Sequence, residues 1–204
     1  MRRSGTSIRI ILGTSIMVAS LIAHSVVVSS GCSQVELGKN ENVSFQSERI
    51  AAEEDALPKI IICDLVPLEE RLQKKAQEFC GDYGVPYEIV LAVIHQESRF
   101  DENSYNGNCV GLMQINRINS EWLKLEIGVT DLSDSEQNLH AGIWMLGNLF
   151  EKYGEWNMVL TAYNNGESGA KRKFFDKGKI SCQYSEEILR NCEEWKIILE
   201  ESHE

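Results

Sequence analysis

A general acid needs a carboxyl group that keeps its proton near neutral pH, and burial beside apolar side chains raises a carboxyl pKa toward that range. In the segment PYEIVLAVIHQESRF, Glu97 follows Val90, Val93 and Ile94 by seven, four and three residues, so on a helix it ends their apolar stripe. A carboxyl placed there is partly desolvated and suited to deliver a proton. The same spacing also describes a solvated helix end in which Glu97 pairs with Arg99, and the stripe alone does not choose. Tyr163 offers a partner. It shares an apolar stripe with Trp156, Val159 and Leu160 in EWNMVLTAYNNG, so its ring can pack while its hydroxyl reaches a buried acceptor such as Glu97, unless it is an ordinary core tyrosine. Gln114, after the apolar pair of GLMQI (Gly111–Ile115), reads by default as a helix-start residue. His95 and His140 have no cysteine or histidine nearby at ligand spacing, so both read as structural or surface groups, and no metal or cofactor is expected.

The elements that must position these groups read as helices. LEERLQKKAQEFCGDYG places Leu68, Leu72, Ala76 and Phe79 at helical spacing, closes on glycine and precedes Pro86, which opens the helix that ends at Glu97. NSYNGNCVG is loop chemistry. The longest periodic stretch, DSEQNLHAGIWMLGNLFEKYG, puts Leu139, Gly142, Ile143, Leu146, Leu149 and Phe150 on one face, with Ser133 or Asp134 as N-cap and Gly154 as the stop. SGAKRKFFDKG and YSEEILRNCEEWKIILEE complete an all-α pattern with room for at most a short β-hairpin near Asn103–Cys109.

The chain has 204 residues and a formal net charge of −11. That balance argues against a nucleic-acid partner, which needs clustered basic surface. The N-terminus differs in kind: Arg2, Arg3 and Arg9 precede an uncharged run from Ile10 to Val35. This is the layout of an export signal, and the run is also about long enough to span a bilayer. Three arrangements follow: a lipoprotein processed at Cys32 after the small residues Ser30 and Gly31, an uncleaved anchor, or simple secretion. Each places the rest of the chain outside the cytoplasm, in the cell envelope or beyond it. Loss of the three leader arginines takes the net charge from −11 to −14, so retention at a membrane would come from the anchor or lipid and not from charge. Residues 1–32 thus read as signal peptide or membrane or lipid anchor, 33–62 as a polar tether, and 63–204 as the folded domain. Of six cysteines, Cys182 and Cys192 form a plausible local disulfide in an exported domain, while most can equally be buried thiols.

Taken in order, ES at Glu97–Ser98, GLMQI at Gly111–Ile115 and AYNNG at Ala162–Gly166 resemble the motifs of the soluble lytic transglycosylase (SLT) domain family, a lysozyme-like superfamily related to goose-type lysozyme. EQNLHAGIWML (Glu136–Leu146) resembles the family's helix between the second and third motifs, and QYSEEIL (Gln183–Leu189) its tyrosine-bearing last motif. The resemblance covers residues 68–200. It implies a lysozyme-like helical domain that cleaves the β-1,4 bond between MurNAc and GlcNAc in peptidoglycan and forms 1,6-anhydro-MurNAc. It implies Glu97 as the single catalytic acid/base and Ser98 as the accompanying hydroxyl. Gln114 lines the sugar cleft beside the backbone of Gly111, Leu112 and Met113, its amide serving hydroxyl and acetamido groups as donor and acceptor. Tyr163 and Asn164 face the glutamate, and Tyr184 matches the late tyrosine.

The alternatives are a goose-lysozyme-type hydrolase that recruits Asp101 or Glu102 to position water, and a non-catalytic wall-binding or assembly module. The same chemistry also fits local opening of the wall for a secretion or conjugation apparatus. If Cys32 carries the anchor, Cys32→Ala should release the protein from membranes or block its processing. Fractionation and the mass of the mature chain check this; unchanged retention and mass exclude lipidation at Cys32.

Overall fold

The structure is a computed structural model that describes residues 60–202. The candidate anchor over 1–32, with Cys32, and the tether as far as residue 59 lie outside the described residues. Seven α-helices and three very short strands follow in order: α1 (Glu70–Tyr83), α2 (Tyr87–Ser98), β1 (Tyr105–Asn106), β2 (Cys109–Val110), β3 (Ile115–Asn116), α3 (Ser120–Ile127), α4 (Ser135–Tyr153), α5 (Trp156–Asn165), α6 (Glu167–Lys173) and α7 (Gln183–Glu201).

Local chemistry sets the helix ends. Asp134 caps α4 by accepting from the Gln137 amide at 2.9 Å, and Glu155 caps α5 by accepting from the amides of Asn157 and Met158, both at 3.1 Å. Pro86 precedes α2, and Gly84 and Gly154 close α1 and α4. Among the described residues no helix is long and apolar enough to cross a membrane.

Helix α2 is the centre of the core. Val90, Val93 and Ile94 are buried as their spacing predicts, but so are Ile89, Leu91 and Ala92. The expected single stripe therefore extends around the helix, as for a helix enclosed by others. Helix α7 packs along α2, α1 packs on α4, and α5 contacts both α4 and α7. The strands form an antiparallel meander in the order β1-β2-β3, with Tyr105 opposite Val110 and Val110 opposite Ile115. This is one strand more than the hairpin expected, because the chain folds back again through GLMQ.

A strap formed by residues 61–68 lies along α1. Ile61, inside the stretch read as tether, donates its amide to Gln77 Oε1 at 2.7 Å and accepts from Gln77 Nε2 at 2.6 Å. Gln73 is buried. Its Oε1 accepts from the Cys63 amide at 3.1 Å, and its Nε2 donates to the carbonyls of Cys63 (3.1 Å) and Leu68 (3.0 Å).

The five described cysteines are free thiols, so Cys182 and Cys192 do not pair. Cys182 is the N-cap of α7 and Cys192 lies within the same helix; ten residues at 1.5 Å rise separate them by about 15 Å, beyond any disulfide.

Gln73→Leu keeps much of the volume but orphans the strap's buried backbone groups. It should lower unfolding stability by about 2–3 kcal/mol, read as a lower urea midpoint at unchanged slope.

Candidate active site

Glu97 lies in the last turn of α2. The chain leaves that helix through two consecutive non-glycine residues in the left-handed region, Arg99 (φ 52°) and Phe100 (φ 66°). Such conformations are costly and persist where packing over-determines them. Phe100 supplies the packing: its ring stands edge-on to Trp195 at 5.5 Å and stacks on His95 at 6.0 Å. Among the described ion pairs none joins Glu97 to Arg99, so the helix-end salt bridge is not the arrangement adopted. Ser98 is buried, and its hydroxyl donates to Ile94 O at 3.2 Å within its own helix.

The GLMQ loop lies flat on α4. Asn138, fully buried, accepts from the Met113 amide and donates to the carbonyls of Val110 and Leu132, all at 2.9 Å. Gly111 has φ +75°, and a Cβ there would come within 2.4 Å of Asn138 Nδ2. One turn further along α4, a Cβ on Gly142 would come within 2.3 Å of Met113 Sδ. Gly111, Leu112 and Met113, expected to bind substrate, are buried and do not line the cleft; they support Gln114.

Gln114 does line it. It begins no helix: at φ 48° it turns the chain into β3. Its Nε2 donates to the carbonyls of Ser104 (3.0 Å) and Gly111 (2.9 Å). Both amide protons are thus committed, and Oε1 remains as an acceptor only, narrower than the donor-and-acceptor role expected from sequence.

Glu97, Gln114, Tyr163 and Asn164 line one cleft of about 1020 Å³. Burial raises the Glu97 pKa, opposed by a hydrogen bond from Tyr184, whose hydroxyl donates to Glu97 Oε1 at 2.5 Å. Tyr163 does not make that contact. Its hydroxyl donates to Met113 O at 2.9 Å, which corrects the expected bond to Glu97: α5 brings the phenol to the GLMQ backbone, and α7 brings Tyr184 to the acid. Burial, followed by the nearby Glu97 charge, holds both phenols well above their ordinary pKa, so each remains a donor.

The remaining candidates lie elsewhere. Asp101 accepts from the Asn103 amide at 3.0 Å, Glu102 accepts from Ser135, and neither lines the cleft. His140 stacks on Phe79 at 4.5 Å and meets the Tyr83 hydroxyl at 2.7 Å; His95 stacks on Phe100. Among the described residues no group of His, Cys, Asp and Glu is arranged to hold a metal. Sequence reasoning missed Asn138, whose signal is a polar residue on the apolar face of a long helix, one turn before Gly142. It also missed Glu167, a cleft carboxylate held by Lys152 and by the Tyr153 hydroxyl at 3.0 Å.

Residues 74–183, more than half of the chain, match the model of the transglycosylase SLT domain, and residues 20–121 match a second model of that description. The chain belongs to the transglycosylase SLT domain family. It is 39% identical over 104 residues to membrane-bound lytic murein transglycosylase F of Desulfosudis oleivorans, a match covering 47% of this chain and 22% of that protein. It is 30% identical over 105 residues to the transglycosylase of Enterobacteria phage PRD1, covering 49% of this chain and 38% of that one. To Protein IpgF of Shigella flexneri it is 28% identical over 116 residues, covering 53% and 72%. The chain therefore spans well under half of the first two relatives. Its fold is that of an inactive mutant of lytic transglycosylase Slt from Pseudomonas aeruginosa, with TM-score 0.52 and 16% identity over 74% of this chain and 28% of that one. This is the lysozyme-like helical fold.

The raised Glu97 pKa has a sign that can be tested without an activity assay. The fold favours the protonated acid, so that contribution is fully present below the ordinary carboxylate range and lost as pH rises through the raised folded pKa. Glu97→Gln cannot ionise and escapes the loss. The melting temperature of the variant relative to wild type should therefore climb as pH rises above the ordinary carboxylate range and level off once pH has passed the raised pKa. A flat difference would show that Glu97 is not perturbed by burial.

Proposed function

We propose that the chain is a peptidoglycan lytic transglycosylase that cleaves the MurNAc–GlcNAc β-1,4 bond with Glu97 as its only acid/base. The observation that carries this reading is the Glu97–Tyr184 pair at the cleft. Burial favours the protonated acid, and the Tyr184 hydrogen bond occupies Oε1, which leaves Oε2 to carry the transferable proton. Glu97 gives that proton to the glycosidic oxygen as the bond breaks, and the substrate's own acetamido group stabilises the cationic centre. The carboxylate left behind keeps its bond from Tyr184 and accepts the proton of the C6 hydroxyl, which closes the 1,6-anhydro ring. The two opposed influences on Glu97 suit the two halves of the reaction: burial serves the acid, and the phenol steadies the base.

Hydrolysis calls for a second carboxylate to position water. Asp101 and Glu102, the carboxylates a hydrolase would recruit, lie outside the cleft; of the carboxylates that line it with Glu97, Glu167 is kept below its ordinary pKa by Lys152, and Glu126 stands on α3 one turn after Trp122. These placements support the transglycosylase over the hydrolase. The names of the Desulfosudis and phage relatives support it too, and the first, membrane-bound, agrees with an exported, anchored chain.

Glu97→Gln should reduce turnover of purified peptidoglycan by roughly 10²–10⁴-fold, the loss typical of a general acid, or more if one group serves both steps. Wild-type products should be one water lighter than hydrolytic fragments and resist borohydride reduction. Mainly reducible muramic-acid ends would make the chain a hydrolase, and a fully active Glu97→Gln would remove Glu97 from the chemistry.

A further inference from the structure

The segment KRKFFDKGKI, Lys171–Ile180, has no part in the mechanism above and does not line the cleft. It carries five cations against one carboxylate in a chain of net charge −11, so the other residues sum to −15. Lys171, Arg172, Lys173, Lys177 and Lys179 are all exposed. In so acidic a chain a surface cation readily finds a carboxylate, yet none of the ion pairs among the described residues includes any of these five. Lys173 reaches an amide instead, donating to Asn165 Oδ1 at 3.1 Å.

The main chain gathers these cations into one ridge. Helix α6 ends at Lys173, and the Phe174 carbonyl then accepts from the amides of both Lys177 (2.9 Å) and Lys179 (3.1 Å). The chain thus folds back, with Gly178 at φ 72°, and sets Lys177 and Lys179 beside the end of α6. Phe175 pins the turn to α4, its ring 5.5 Å from that of Tyr153. Ile180, just past the last cation, is 50% exposed. A charge run that only solvates the surface needs neither an ordered turn nor an apolar side chain at its edge. An anionic bilayer uses both: lipid phosphates meet the cations, and the isoleucine enters the headgroup boundary beside the lysine stems. A soluble polyanion would use the charges and leave Ile180 in water. The sequence also brings a bilayer within reach, because only 24 residues separate the apolar run that ends at Val35 from Ile60. With −15 spread over the rest of the chain, an anionic surface repels other faces and attracts this one. The anchor retains the domain, and the ridge orients it.

We propose that the ridge Lys171–Ile180 is a docking face for an anionic phospholipid surface, which turns this side of the domain toward the bilayer. The proposal does not depend on the chemistry at Glu97. The test uses the full chain mixed with vesicles of phosphatidylcholine alone or with a third of phosphatidylglycerol, and reads by mass spectrometry how fast each lysine is acetylated at low extent. At about 0.01 M salt, where the Debye length is roughly 30 Å, phosphatidylglycerol should slow the labelling of Lys171, Lys173, Lys177 and Lys179 about five-fold or more relative to phosphatidylcholine. Lys124 of α3 and Lys196 of α7 should change little. At about 1 M salt, with a Debye length of roughly 3 Å, the difference should vanish. Combined Lys177→Glu and Lys179→Glu, at exposed side chains whose backbone bonds remain, should abolish the shielding of Lys171 and Lys173. Equal labelling of the ridge on both kinds of vesicle would overturn the docking face. So would equal shielding of Lys124 and Lys196, which means that no face is favoured, or full shielding in the double variant. Shielding by soluble polyphosphate and not by anionic vesicles would likewise overturn it and assign the ridge to a polyanion.

Discussion

Asn138 commits its entire side chain to the backbone around GLMQ. Two donors and one acceptor, all out of water, bind Val110, Leu132 and Met113. Leaving any one of them unpaired would cost about 1–3 kcal/mol, so the loop has one position on α4 and not a range of them. The close approach also dictates its neighbours. Gly111 and Gly142 lack side chains because Asn138 and Met113 occupy the space where a Cβ would go. Met113, fixed in this way, presents the carbonyl that Tyr163 binds, and Gln114 follows it into the cleft. One buried amide therefore registers α4, the loop and α5 against one another.

Glu97 is held from a different direction. Residues 89–94 of its helix are buried on every side, and the exit of the helix is held in left-handed geometry by the seating of Phe100 against His95 and Trp195. The carboxyl cannot retreat into solvent by fraying of the last turn without releasing that ring. Preorganisation of this kind matters because an acid that moves must be reoriented at each turnover.

The helices were legible because their boundaries are local: Asp134, Gly154 and Pro86 act within a turn or two of chain. So was the grouping of Glu97, Gln114, Tyr163 and Asn164, which the motif order carried. What could not be read depends on how helices cross. Sequence offers two tyrosines and one acid, and only the packing of α5 and α7 decides that Tyr184 meets Glu97 while Tyr163 meets a carbonyl. The meander was missed because two-residue strands have no periodicity; they exist because Gly107, Gly111 and Gln114 reverse the chain. Leu112 and Met113 look like cleft residues by proximity to Gln114 in sequence, yet the Asn138 contacts turn that backbone inward.

Helix α7 bears on the acid at two points, which makes the C-terminal part of the chain integral to the site. Its first turn supplies Tyr184, and Trp195, three turns later, seats Phe100 below the end of α2. The position of that first turn is set by a small buried polar cluster. Ser185 Oγ accepts from the Cys182 amide at 3.0 Å and from Thr161 Oγ1 at 3.3 Å, and both Ser185 and Thr161 are fully buried. Thr161 lies two residues before Tyr163, and Ser185 directly follows Tyr184. The contact between them therefore helps to fix the two phenols relative to each other, independently of the acceptor that each meets. Two tyrosines with different partners are positioned by a hydroxyl pair that touches neither, and the Glu97 environment is as much a product of the α5–α7 junction as of the helix that carries the carboxyl.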